Sequence, residues 1–435
     1  MISVSFSLPD GFTVGGVTTW SIKLCNLLKQ KGVSSSIIQH KTFNPILQFH
    51  LNNDVPIFDC SDLHHADSPF IKKKDIVKYK TIYSEVNADV LIPNWSYGTY
   101  AACAALTLSK ESNAKIVGFI HTDEQIYYDW VCFYESIISH FVCVSDEIMD
   151  KLIKLLPHRE KDMEIKPYGV DVDKNLSRRY SDDTEPLQLI YAGRISQRQK
   201  RIFDLTRLAK ALVKHNVNFD LTIIGNGNES AALKKQISDL DPAVKERISF
   251  QPGVPPAEMK SIWRSSDIFI SVSEYEGTSI SMLEAMSNGC IPVVTKVSGT
   301  GAVISQGENG FLSTIGDIEQ MARSIADIDQ NRQRLTQLGH AAHATIVQTY
   351  NFEDYVSWFS SLIINVSTKK KLIWNNTRPL FPQGLGAIKK EEFHLALKRD
   401  PDAIRIILHK LLHLSRLAGP FYTLQYLFGK IAKNT

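Results

Sequence analysis

Glu276-Gly-Thr-Ser-Ile-Ser-Met-Leu-Glu284 is the stretch that decides the reading of this 435-residue chain. Its two carboxylates have seven residues between them. A Gly-Thr-Ser loop follows the first, and apolar residues at helical spacing lead to the second. Upstream, Asp267-Ile-Phe-Ile-Ser-Val-Ser273 is a short apolar run suited to a buried strand. The segment reads strand, tight loop, helix. Unpaired backbone amides at a helix start favour anions, because they are free donors at the positive end of the dipole. A carboxylate beside an anion is unfavourable unless it binds something else, such as sugar hydroxyls. A site that takes both phosphate and hydroxyls suggests a sugar nucleotide.

The same alternation extends outward. Ile2 to Phe6, Val90 to Ile92, Ile116 to Ile120 and Phe141 to Val144 read as strands of a first half. Leu187 to Ala192, Leu221 to Ile224, Ile268 to Val272 and Ile291 to Val294 read as strands of a second. Between them Trp20, Leu24, Leu27 and Leu28 share one helix face, with Gly32 as a stop, and Leu205, Leu208, Ala209 and Leu212 share another. Alternating strands and helices imply parallel sheets with helices on both faces. Polar Asp171 to Glu185 reads as the linker. The expected architecture is α/β, with one Rossmann-like domain over 1–175, a second over 186–350, and a crossover helix with a basic helical tail over 351–435. Ligands of such sheets bind beyond the carboxyl ends of the strands.

With its flanks, Ser273-Glu-Tyr-Glu-Gly before and Gly289-Cys-Ile-Pro-Val-Val after, the opening stretch resembles the E-x7-E signature of the retaining glycosyltransferases of family 4. That family has the GT-B fold: two Rossmann-like domains with parallel sheets facing across a cleft. Gly193-Arg194-Ile-Ser-Gln-Arg-Gln-Lys200 is similar to its G-R-x(4-5)-K element, and Gly11-Phe-Thr-Val-Gly15-Gly16 to its N-terminal Gly-Gly loop. His121, directly after the strand Ile116 to Ile120, resembles the cleft histidine of the family, with Asp123 and Glu124 as weaker candidates for acceptor contact. Gly225-Asn-Gly227 matches a Gly-x-Gly turn, and Lys166-Pro-Tyr-Gly-Val-Asp171 a P-N-G-V-D turn with Tyr168 in place of Asn, read as structural. The chain departs from the pattern at Ala302, where the family usually has a glutamate.

The resemblance implies transfer of a sugar from a nucleotide donor to an acceptor hydroxyl with retention. A nucleoside diphosphate gains negative charge as it leaves. Arg offers it a planar fork of donors and Lys a point charge. Arg194, Lys200, Glu276 and His121 are therefore the catalytic candidates. Arg198 and Arg201 are read as surface residues. Gly15, Gly16, Gly277, Thr278, Ser279 and Glu284 are the donor-binding candidates. Glu276 is assigned to the sugar hydroxyls and Glu284 to the ribose. No metal and no cofactor are expected, and a UDP-sugar is favoured over a GDP-sugar as donor substrate. The acceptor is a saccharide or a lipid-linked saccharide. A non-enzymatic nucleotide-sugar-binding subunit, or an epimerase of the same fold, is the alternative.

Bulk properties agree with a globular enzyme, with 43% hydrophobic and 22% charged residues. Cysteines 25, 60, 103, 132, 143 and 290 are scattered without a C-x-x-C pair, which favours a reducing compartment over a disulfide or zinc framework. Met1-Ile-Ser-Val-Ser-Phe-Ser is unlike a signal peptide, and no apolar run has the roughly 18 residues of a membrane span. The expected location is the cytoplasm, including the inner face of the membrane. From Ser367 onward 13 Lys plus Arg face 4 Asp plus Glu, against 36 and 42 upstream. Nucleic acid is disfavoured by the acidic body. In the tail, Ile404, Ile407, Leu408 and Leu411 share one helix face, with Arg405, His409, His413 and Arg416 opposite. Such a helix packs on the body or lies on an anionic membrane.

Overall fold

The computed structural model describes residues 1–13, 15–41, 50–61, 73–375 and 380. The basic amphipathic helix expected beyond these residues, and with it the membrane contact, lies outside the described part.

The first sheet is built from β1 (Ile2–Leu8), β2 (Val33–Gln39), β3 (Ile57–Asp59), β4 (Val90–Ile92), β5 (Lys115–Ile120), β6 (Ile138–Cys143) and β7 (Met163–Ile165). Its order is β3-β2-β1-β4-β5-β6-β7, and every neighbouring pair is parallel. The second contains β8 (Leu187–Ala192), β9 (Phe219–Ile224), β10 (Ile248–Gln251), β11 (Ile268–Ser271), β12 (Ile291–Thr295) and β13 (Phe311–Ser313), in the order β10-β9-β8-β11-β12-β13, again all parallel. Central strands such as β4, β5, β11 and β12 are buried throughout, as expected of sheets covered on both faces.

Five strands were not evident in the sequence, for a physical reason. β3, β7, β10 and β13 are edge strands of three or four residues, and half-covered edges do not need an apolar run. β2 reads Val-Ser-Ser-Ser-Ile-Ile-Gln, and its serines hide a strand that pairs with β1 over its full length.

Asp171 to Glu185 connects the sheets but is not a loose tether. Its Arg178 guanidinium is buried, donating to the carbonyls of Ser266 (2.8 Å) and Asn288 (3.1 Å) beside Asp267. Ser181 donates its hydroxyl to the same carboxylate. The polar composition that marks a linker here serves a buried polar network, in which each charge is paired.

After the second sheet the chain returns to the first. Val170 and Phe352 bond across, Val170 N to Tyr350 O at 2.8 Å and Phe352 N to Val170 O at 3.0 Å. Asn351 caps the helix Phe352–Thr368, accepting from Glu353 N at 2.9 Å. That helix lays Phe359 against Phe6 (centroids 5.6 Å apart, nearly parallel) and joins the apolar core that holds Trp20 and Phe119. Beyond it, Lys371 donates to the carbonyls of Ser109 and Ser112, and buried Trp374 packs on Tyr134. The first domain is therefore completed by residues from the end of the described chain.

Candidate active site

Strand order reverses between β1 and β4 in the first sheet and between β8 and β11 in the second. A parallel sheet opens a crevice at such a point, beyond the carboxyl ends of its strands. The two crevices face each other and enclose a cavity of about 830 Å³. Arg194, Lys200, Glu276, His121, Gly15, Gly16, Gly277, Thr278, Ser279 and Glu284 all border it.

Lys200 ends the short helix Gln197–Lys200, which follows β8. Its ammonium donates to Glu276 Oε1 at 2.5 Å, and Ser273 Oγ donates to the same oxygen at 2.7 Å. The loop after β11 is tied to this helix by Glu274 N bonding to Gln199 O at 2.8 Å. The two sequence elements assigned to phosphate and sugar thus form one partly buried ion pair. Arg194 stands at the exposed rim, and among the described residues its guanidinium has no hydrogen-bond partner. Its carbonyl accepts from the Tyr191 hydroxyl at 2.7 Å, which steadies the backbone. Arg198 pairs with Glu124, and Arg201 pairs with Asp204 and Glu274.

Ser279 caps the helix Ile280–Ser287, its hydroxyl accepting from Met282 N at 3.3 Å. One turn on, Glu284 reaches the cavity wall. Its carboxylate has no hydrogen-bond partner among the described residues. Burial pushes its pKa up to about 7, against the pull of Lys23 and with a push from Asp171. An unpaired carboxylate of this kind is suited to accept from a diol. Gly15 has open space where a Cβ would stand, while a Cβ on Gly16 would meet Ile280 Cδ1 at 3.0 Å. Of the two glycines, Gly15 faces room for a ligand and Gly16 allows the domains to approach.

His121 is buried, and both ring nitrogens are engaged. Nδ1 meets the Tyr168 hydroxyl at 2.5 Å and Nε2 meets Asn94 Oδ1 at 3.1 Å. Asn94 donates its amide to Ser7 O at 2.6 Å, so its oxygen faces the histidine and Nε2 carries the proton. Burial lowers the imidazole to about 3, which keeps it neutral. Tyr168, read from sequence as part of a structural turn, is thus the direct partner of the cleft histidine. The tyrosine in place of the usual asparagine was the one signal for it.

The loop bearing Glu276 is stitched to the first domain. Thr122 and Gly277 form an antiparallel bridge, and Asp123 N donates to Glu276 O at 2.9 Å. The Thr278 hydroxyl donates to Val144 O. Thr278 has thus committed its hydroxyl proton to structure, while Ser279, whose oxygen accepts from Met282 N, keeps its own proton for a ligand. Asp123, a candidate for acceptor contact, instead joins the domains: its carboxylate accepts from Lys151 (2.7 Å), Tyr128 (2.8 Å) and Ser298 (2.5 Å). Glu147 adds a bond from Gly299 N at 3.0 Å. Sequence reasoning missed Glu147 altogether. The loop that lacks the usual glutamate at Ala302 is held from across the cleft. Among the described residues no three His, Cys, Asp or Glu side chains converge as metal ligands, and no helix is long and apolar enough to cross a membrane.

Two Rossmann-like domains with parallel sheets facing across a cleft, and a C-terminal helix returning to the first, are the GT-B architecture. Residues 172–345 match the family model described as glycosyl transferases group 1. Over 170 residues the chain is 26% identical to the N-acetyl-alpha-D-glucosaminyl L-malate synthase of Bacillus anthracis, covering 38% of this chain and 42% of that protein. Over 261 residues it is 22% identical to the UDP-Gal:alpha-D-GlcNAc-diphosphoundecaprenol alpha-1,3-galactosyltransferase of Escherichia coli, covering 57% and 65%. The matched region therefore spans less than two thirds of either relative. Among solved structures, Anabaena HepE in complex with UDP-glucose superposes with a TM-score of 0.65 at 16% identity, over 84% of this chain and 100% of that one. That likeness speaks for the fold.

Proposed function

We propose that the chain is a retaining glycosyltransferase of the family 4 type. It moves a hexosyl group from a nucleotide-sugar to an acceptor hydroxyl in the synthesis of a cell-surface polysaccharide or glycolipid. The observation that carries this reading is the convergence of Arg194, the Lys200–Glu276 pair and the unpaired Glu284 carboxylate on one cleft between two sheets. The family match and the names of the relatives support the reaction class. The UDP-glucose bound to Anabaena HepE supports a UDP-sugar as donor.

In this scheme Glu284 accepts hydrogen bonds from the ribose, and the first amides of the helix Ile280–Ser287 meet the diphosphate. Lys200 has three ammonium protons, one of which goes to Glu276, leaving two for the phosphate. Arg194 adds a planar pair of donors from the rim. Both gain strength as the leaving group acquires charge in an oxocarbenium-like transition state. Glu276, fixed by Lys200 and Ser273, turns its remaining acceptor capacity to the sugar hydroxyls. His121 is neutral with both nitrogens engaged, so it shapes the cleft and the departing phosphate oxygen takes the acceptor's proton. Arg194 and Lys200 supply the positive charge that a divalent ion supplies in other transferases.

A screen of UDP- and GDP-sugars for donor hydrolysis, followed by mass spectrometry of the product formed with saccharide acceptors, tests the reading. Turnover of a UDP-hexose with net sugar transfer is expected. Nucleotide-sugar binding without any turnover across the acceptor panel would overturn it in favour of a binding subunit.

A further inference from the structure

Trp95 follows β4 on the wall opposite the donor-side residues. Its neighbours Asn94 (φ 57°) and Ser96 (φ 108°) both lie in the left-handed half of backbone space, which non-glycine residues rarely adopt. Such strain persists only when the surroundings over-determine it, and it gathers at ligand sites. Here Asn94 is held by Ser7 O and His121, and Ser96 caps the helix Tyr97–Thr107 by accepting from Thr99 N at 3.3 Å. The strained turn leaves the indole half-buried on the cavity wall, edge-on to His121 at 6.2 Å. Tyr127, on the helix Gln125–Phe133, borders the same cavity edge-on to His121 at 6.4 Å. Two partly exposed aromatic rings therefore flank one buried imidazole on the wall of the first domain.

The charges of that wall narrow what it can hold. Among the described residues of the first domain that line the cavity, Lys41 is the one lysine or arginine, and it is paired with Asp10. Glu124 lies nearby, paired with Arg198, and Arg194, whose charge reaches Tyr127 from across the cleft, is taken up by the donor diphosphate in the proposed scheme. A polyol-phosphate acceptor brings a negative charge with each repeat and needs free cations, best of all arginine forks. A saccharide ring needs an aromatic face for its C–H surface, because the face of the ring is its negative side.

We propose that Trp95 and Tyr127 form an acceptor subsite that stacks an uncharged sugar ring, so that the acceptor is a saccharide and not a polyol phosphate. The proposal rests on the glycosyl-transfer reading for the word acceptor, but the subsite can be probed without turnover. The probes are methyl hexosides and methyl N-acetylhexosaminides, set against glycerol 3-phosphate and ribitol 5-phosphate. Saturation-transfer NMR on the full chain with UDP present should show contact to ring C–H protons of at least one saccharide and none to the polyol phosphates. Trp95→Ala should weaken that saccharide roughly tenfold, as expected for loss of one stacking contact. Trp95→Phe should restore most of the loss. In transfer assays the change should fall on acceptor KM more than on kcat. Tyr127→Ala provides a second route should Trp95→Ala fail to melt cooperatively. Saccharide contact without any sugar transfer would unseat the proposed function and leave the subsite standing. Binding of polyol phosphates in preference, or a saccharide affinity indifferent to Trp95 and Tyr127, would overturn the subsite even if transfer proceeds.

Discussion

The ammonium of Lys200 has one fixed partner among the described residues, Glu276 at 2.5 Å, which leaves two protons. In the proposed scheme, removing it takes charge from where the diphosphate leaves, so Lys200→Ala should lower kcat by roughly 10² or more. Steady-state kinetics on a protein with an unchanged melt checks this, and wild-type turnover would remove the assignment. Since Arg194 and Lys200 are given the work of a divalent ion, transfer should also survive EDTA. Activity lost to chelation and restored by Mg²⁺ or Mn²⁺ would contradict the metal-free scheme. Glu284 carries a prediction in pH. Burial raises it from 4.5 to about 7, so between those values the folded state binds more protons than the unfolded one. Its contribution to stability is therefore present at low pH and is lost as pH rises through that window. Melting temperatures at pH 5 and pH 7.5 should differ less in Glu284→Gln than in the wild type, and equal differences would show that Glu284 does not titrate there. The residues nominated from sequence do meet in one cleft, yet their pairings were not legible. A motif names residue types, whereas the partner of Lys200 is set by how two loops after different strands fold together.

At the scale of elements, the loop from Ser273 to Ser279 has two duties. It presents Glu276, and it docks on the first domain through the Thr122–Gly277 bridge. A Cβ on Gly277 would meet His121 O at 2.2 Å and Val144 Cγ2 at 2.6 Å, so only glycine allows this docking. Gly277→Ala should hold the domains apart, shift small-angle scattering toward a larger radius of gyration, and lower turnover by about 10² through misplacement of Glu276. An unchanged radius and rate would mean that closure tolerates the methyl. Central strands announce themselves in sequence because both of their faces are buried, as in β8 with Leu-Gln-Leu-Ile-Tyr-Ala. Edge strands such as β10, with Ile-Ser-Phe-Gln, do not, because half of their surface meets water or a loop. The contacts of Asp123 and Glu147 across the cleft were equally hidden, since they join residues about 150 or more positions apart: the Ser298 and Gly299 bonds span 175 and 152.

At the scale of the molecule, the cleft lies between domains joined by hydrogen bonds and a shared apolar cluster and not by one continuous sheet, so the position of Glu276 is a property of the closed pair. The basic tail is a further whole-chain question. The cut that isolates it belongs after Leu380, because Val366 and Trp374 are buried in the first domain and the Leu380 carbonyl accepts from the Tyr134 hydroxyl at 2.8 Å, and a cut near Asn365 would remove all three. Vesicle co-sedimentation of the full chain and of a chain ending at Leu380 decides its role. If the tail attaches the protein to anionic lipid, only the full chain should sediment; equal behaviour of the two would show that it is not an anchor.

The return of the helix Phe352–Thr368 to the first sheet also sets an order of events during synthesis. A ribosome releases the first domain's strands early but the residues that close its core last, after the whole second domain has emerged. Until Phe359 arrives, Phe6 and Trp20 lack the ring that packs on both, and until Trp374 arrives, Phe133 and Tyr134 lack theirs. The second domain draws its apolar residues from positions up to Ile346, all made before Phe359, so one of its cores, from Leu187 to Leu338, can form before the first domain closes. The half of the protein that is made first is thus the half that finishes last, and its bare face is what a chaperone would meet on the nascent chain.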